Sequence, residues 1–282
     1  SLSSMSLEQA IEIAINNSIQ YKIDDINIAL KEEALRQAKE NAVFLGDAYG
    51  TERILNNRII KEVRPFEAEI ALEIAKKTKE DNINNLKTNV KKAVQNLLMA
   101  QIEKAIETKR LDILFERYEL LKGKLKQGII TENDLTDIEF SIENKRMDII
   151  KAGEKIERAE NNIKKLLNLP FDSKLINIKE NMKFELLKYI DANKAVNDAI
   201  NNSTSIYKLI KDIEVKEKIL DLTGQYFPET NIDYITAKYN LEDAKAALDE
   251  AKINIEVSVK NSYSNLLNLR DRVYLAEKYI AI

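Results

Sequence analysis

Carboxylates and amines are the reactive side chains this chain carries in number, 47 Asp and Glu against 44 Lys and Arg. Acid/base catalysis needs such groups to converge on one point, and their spacing here distributes them along helix faces instead. The run Lys76-Lys77-Thr78-Lys79-Glu80-Asp81 reads as a solvated face. With no histidine, the usual general base and commonest metal ligand are missing. With no cysteine there is no thiol nucleophile, thiolate zinc site or disulfide framework. No Ser, Lys or Asp stands in a nucleophile motif, and no Gly-rich loop is present to cradle a phosphate. The expectation is a protein that is not an enzyme, with no catalytic residues, no metal site and no cofactor.

Acids and bases nearly balance, at a net charge of -3 and a pI near 5.5, so there is no basic field of the kind that holds nucleic acid. No apolar run approaches the ~18 to 20 residues a membrane-spanning helix requires, and Ser1-Leu2-Ser3-Ser4-Met5 lacks the charged and apolar regions of a signal peptide. The chain as given is therefore expected not to insert into a membrane. The sequence alone leaves open whether a signal peptide once preceded Ser1.

The elements that carry these side chains are long helices. Charged residues make up 32% of the chain, aromatics 6%, and there are six Gly, three Pro and no Trp, a composition of amphipathic or coiled-coil helices. Gly and Pro mark the boundaries. Ser6 to Gln9 forms a capping box that starts a helix over about 6–45. Residues 46–64 read as irregular with at most one short strand pair, and Pro65 opens a helix over about 66–122. A tight reversal from Gly123 to Thr131 leads to a helix over about 132–168, with Gly123 at the turn and Asp134 as its N-cap. Further helices follow over about 186–222 and 232–282.

Heptads pair the two central helices. Leu135, Ile142, Ile149, Ile156 and Ile163 form one seam position, Ile138, Ala152, Ala159 and Leu166 the other, and only Lys145 breaks the pattern. Ile83, Leu86, Val90, Ala93, Leu97 and Ala100 provide the matching three-four spacing, so 66–167 reads as an antiparallel helical hairpin with its tip near Gly128. The last helix has a small-residue seam, Ala237, Leu241, Ala244, Leu248, Ala251, Ile255, Ser258 and Ser262, suited to close packing among several helices. Tyr226, Tyr234, Tyr239 and Tyr263 read as packing residues.

The second half repeats the first. Ala10-Ile11-Glu12-Ile13-Ala14-Ile15-Asn16-Asn17-Ser18 aligns with Ala195-Val196-Asn197-Asp198-Ala199-Ile200-Asn201-Asn202-Ser203. Val90-Lys91 and Asn96-Leu97-Leu98 align with Val259-Lys260 and Asn265-Leu266-Leu267 at a shorter offset, which places a shorter connection in the second copy. Two copies are expected, 1–180 and 181–282, the second incomplete because it carries only the rising arm of its hairpin. The fold class expected is all-α, of long antiparallel helical hairpins of coiled-coil or α-barrel type.

Three motifs then carry a resemblance to the TolC-like outer-membrane efflux proteins. Leu7, Ala10, Ala14 and Asn17 match the family's opening helix; Gly128-Ile129-Ile130-Thr131-Glu132-Asn133-Asp134-Leu135 matches its hairpin tip; Leu166-Leu167-Asn168-Leu169-Pro170 matches the close of the returning arm. The resemblance implies a homotrimer whose hairpins pack into a hollow α-barrel, exporting cargo when docked to a periplasmic adaptor of the membrane-fusion type and a pump. It implies adaptor contact at Gln127, Gly128, Ile129 and Thr131, with Gln127 where an apolar residue is more usual, and an extracytoplasmic location with the signal peptide removed. The family's membrane strands are lacking: 46–64 has no lipid-facing alternation and 224–231 is too short for a strand. Two other readings stand beside this one, a structural or partner-binding coiled coil of the cell envelope and an intracellular coiled-coil scaffold.

Overall fold

A computed structural model describes residues 5–173, 178 and 190–280. The described residues form eight helices: α1 (Leu7–Asn17), α2 (Ile19–Val43), α3 (Thr51–Glu62), α4 (Arg64–Lys126), α5 (Glu132–Leu166), α6 (Ala192–Asn202), α7 (Thr204–Gly224) and α8 (Ile232–Ile280). No strand occurs among them, only an isolated parallel bridge between Met5 and Ile178. No described helix is long and apolar enough to cross a membrane. The all-α class holds. The expected linker after Pro170 and the expected helix start at 186–189 lie almost wholly outside the described residues, as do the last two residues of the final helix.

Packing divides the chain into two units, one from Ser1–Tyr21 and Asn82–Lys183, the other from Lys22–Asp81 and Phe184–Ile282. The core of the first joins three helices. Leu7, Ala10 and Ala14 of α1 bury against Val90, Ala93, Val94 and Leu97 of α4 and Ile163 of α5, with Leu167 at the end of α5. Ala10 and Ala14 are 0% exposed, and their lack of bulk is what lets α1 approach the helix pair closely. Toward the tip the hairpin seam is carried by Ile138, Ile142 and Ala152, all buried.

In the second unit α7 and α8 pack along one another, and α6 lies against both. The small-residue seam of α8 is buried at Ala237, Leu241 and Ala244 and becomes progressively exposed beyond Leu248. Gly224 ends α7 where a Cβ would stand 3.2 Å from the ring of Tyr234, so this end of the pair closes tightly. Tyr239 does not pack as expected: it falls on the face opposite Ala237 and Ala244 and is exposed.

The expected irregular stretch at 46–64 stays irregular only to Gly50; Thr51–Glu62 form helix α3, stacked on α7. Leu55 and Ile59, one turn apart, pack on a core of Val63, Ile70, Val215 and Leu222, and Arg58 pairs with Glu62 at 2.6 Å and donates to the Gln225 side chain at 2.8 Å. Asn56, Asn57 and adjacent isoleucines have modest helix propensity, and the apolar contact overrides it. Gly50, at φ +92, turns the chain into it. The helices expected at 6–45 and 186–222 are each divided, at Ser18 and Ser203. Both serines are extended and accept from the backbone N–H three residues on, Tyr21 and Ile206, so each ends one helix and caps the next. Ser6 and Asp191 cap the opposite ends at the same offset, leaving α1 and α6 as matched helices of 11 residues.

Candidate functional site

The tip of the α4–α5 hairpin is built by two caps. Leu120, Leu121, Lys122, Lys124, Leu125 and Lys126 are strong helix formers, and they carry α4 through Gly123. Gly123 is therefore helical and not part of the turn. The helix stops at Gly128, whose φ of +70 puts it in the left-handed region. Its N–H donates to the Leu125 carbonyl at 2.9 Å and the Ile129 N–H donates to the Lys124 carbonyl at 3.0 Å, the paired bonds of a Schellman cap. A Cβ on Gly128 would meet no atom within 4 Å, so backbone conformation alone calls for glycine here.

Helix α5 starts at Thr131, which is the N-cap. Asp134, expected in that role, stands three residues later and reaches back: its carboxylate accepts from the Thr131 N–H at 2.8 Å and the Thr131 hydroxyl at 2.7 Å. Thr131 wins the cap because it directly precedes the first helical residue, Glu132. These bonds, the backbone one foremost, hold the Asp134 carboxyl below its ordinary value. With Gly128 and Asp134 committed to the turn, Gln127, Ile129 and Thr131 are left facing solvent, Ile129 at 64% exposure. Such a surface suits apolar and hydrogen-bonding contact.

At the far end of α5 a second turn of the same type follows the buried Leu167. Asn168, at φ +51, takes the left-handed position, and the Leu169 N–H donates to the Lys164 carbonyl at 2.9 Å. The Asn17 side chain donates to the Leu167 carbonyl at 3.0 Å, and the Asn168 side chain donates to the Asn17 carbonyl at 3.2 Å. The last residue of α1 and the turn after α5 thus satisfy each other's free carbonyls. The buried Lys164 donates its ammonium to the Phe171 carbonyl at 2.9 Å and ties down the chain just beyond Pro170. Asn168 and Lys164 were not legible as fastening residues, although a left-handed Asn just before Leu-Pro was an available signal.

A further feature has no counterpart in the expectations. Met99, Ile106, Ile113 and Leu120 recur at heptad spacing on α4 with exposures of 61, 45, 62 and 69%, and Phe140 and Met147 do so on α5. Helix α4 therefore carries two apolar seams, one buried against α5 and one bare, and α5 adds a short bare patch at Phe140 and Met147. In the second unit an open groove of 780 Å³ is lined by Ala34, Ala38, Ala68 and Ala71 together with Phe44 and Ile60.

Long paired helices and a small-residue helix fastened at their base define a fold of antiparallel helical hairpins. Solved structures share it, CusC and a second membrane protein among them. CusC, whose crystal structures describe conformational changes accompanying folding and transmembrane channel formation, superimposes with a TM-score of 0.70 at 13% identity, covering 98% of this chain and 79% of that one. A membrane protein from Pseudomonas aeruginosa does so with a TM-score of 0.68 at 13% identity, covering 97% and 78%. No protein-family profile and no characterised protein sequence matches the chain. At this identity the likeness is one of fold, and it is the fold that the three TolC-like motifs implied.

Proposed function

We propose that this chain forms the helical conduit of an outer-membrane efflux or secretion channel and docks a periplasmic adaptor through the tip at Gln127, Gly128, Ile129 and Thr131. The observation that carries this reading is the likeness over 98% of the chain to a protein whose structures concern transmembrane channel formation. The bare seams support it. Apolar stripes of this length are costly in water at ~25 cal/mol per Å² and mark surfaces that become covered. Side-by-side packing of copies, as in a homotrimer, covers Met99, Ile106, Ile113 and Leu120 on each. The location is then the cell envelope. The tip contributes an exposed isoleucine held by a rigid double cap, which presents it without further ordering cost.

A photo-crosslinking residue placed at Ile129 in cells tests the docking step. The expected product is a covalent adduct with an adaptor of the membrane-fusion type, identified by mass spectrometry and lost when Gln127 and Thr131 are both changed to Glu. Adducts confined to unrelated envelope proteins, unchanged by those substitutions, contradict it.

A further inference from the structure

The one interruption of the α5 seam, Lys145, meets an interruption in α4. Continuing the three-four spacing of Leu97 and Ala100 puts Lys104, Glu107, Leu111 and Leu114 on the same face of α4. Lys145 donates to Glu107 at 2.7 Å, and the pair is largely withdrawn from solvent, with side chains 21% and 15% exposed. Asp148 accepts from Lys145 at 2.9 Å, Arg110 pairs with Glu107 at 2.7 Å, and the Lys104 ammonium lies against Gly153. Buried Ile142 and Ile138 continue the α5 seam toward the tip, and buried Ala152 continues it away from the tip. One charged layer thus sits within an otherwise apolar zipper.

An apolar three-four repeat does not by itself choose a register, because sliding one helix past the other still brings seam residues opposite seam residues. The tip offers two places to turn. Gly128 is used, and Gly123, little more than a helical turn earlier, stays helical with open space around it. A turn of equal length made at Gly123 brings Leu97 opposite Lys145 and Leu135 opposite Glu107. The two charges then lose each other and face apolar side chains, keeping only the same-helix partners Asp148 and Arg110, an arrangement less favourable than the interhelical pair.

We propose that the Glu107–Lys145 layer selects the register of the α4–α5 hairpin and thereby assigns the tip turn to Gly128 over Gly123. This holds whatever the tip engages and does not rest on the channel reading. The pair is mutually supportive: the bond from Lys145 lowers the Glu107 carboxyl below its ordinary range, and the bond to Glu107 raises the Lys145 ammonium.

The natural chain has no cysteine, so nitroxide labels at Glu116→Cys and Glu139→Cys, both exposed positions flanking the tip, report the register without background. Pulsed EPR on the full chain is expected to give one distance. With E107L and K145L together a second, displaced distance appears, and adding G123A removes it. A single unchanged distance in the leucine pair overturns the proposal. Should the leucine pair fail to fold, the charge swap decides. E107K alone is expected to broaden or split the distribution and E107K with K145E to restore it; a swap pair indistinguishable from E107K alone overturns the proposal.

Discussion

The two ends of helix α5 use one device for opposite purposes. Each is preceded or followed by a left-handed turn with the same paired backbone bonds, at Gly128 before it and at Asn168 after it. At the base the turn is packed: Leu167 is 0% exposed, and Asn17 and Asn168 exchange hydrogen bonds. At the tip the turn is bare, and the residue that follows the glycine, Ile129, faces water. Backbone capping alone therefore does not distinguish a structural turn from a binding one; what differs is where the side chains around it go. The base spends its polar and apolar groups internally, and at the tip the side chains of Gln127 and Ile129 face solvent while Thr131 bonds only Asp134 of its own cap.

That contrast sets an order of effects. Leu167→Ala removes a fully buried side chain and is expected to cost ~2–5 kcal/mol in chemical denaturation, whereas Ile129→Ala should stay within ~0.5 kcal/mol. Equal losses at the two sites would break the comparison. Asn168→Ala and Gly128→Ala each place alanine in the left-handed region at ~1–2 kcal/mol, but the former also forfeits the bond to Asn17, so its midpoint should fall further. Asn17→Ala should cost ~0.5–1.5 kcal/mol, against little for Asn202→Ala, whose side chain donates only to the Asp198 carbonyl of its own helix. Gly123→Ala, with room for a methyl, should stabilise by ~0.5–1 kcal/mol, measurable as a higher melting temperature.

The smallest effect is in acid. The Asp134 carboxyl is held below its ordinary 3.8 when folded, so its contribution is complete above that pH and is lost as pH falls below it. Amide hydrogen exchange at Thr131 should accelerate at low pH in the wild type relative to Asp134→Asn. A pH-independent difference between the two would remove the cap from the account.

Much of this was legible in the residues. The heptads of α5, the capping box at Ser6 and the repeat of Ala10–Ser18 at Ala195–Ser203 are periodic or local signals, and periodic signals survive folding. The breaks at Ser18 and Ser203 were hidden because Asn-Asn-Ser interrupts no apolar period; only the serine's capping geometry reveals them. Helix α3 was hidden for a different reason, since its stability comes from Val63, Val215 and Leu222, which lie outside its own segment. Even the repeat conceals a difference: Ala10 and Ala14 are sealed by α4 and α5, whereas Ala195 and Ala199 are half-buried against α7 and α8. At the tip the sequence marked the right segment and misassigned two roles. Gly123 and Gly128 look alike as residues, and Thr131 and Asp134 are both good cap residues, so only the backbone separates them. The bare seam on α4 shows the limit most plainly, because periodicity identifies an apolar face without saying whether one chain or several will cover it.

That seam is also where the central claim is most exposed to test. Sedimentation equilibrium of the full chain, at rising concentration, compares wild type with Ile113→Glu. Lateral assembly gives a species of three times the 32.4 kDa chain that the substitution converts to monomer. A wild type that remains a folded monomer at every concentration, indistinguishable from Ile113→Glu, contradicts lateral assembly into a conduit.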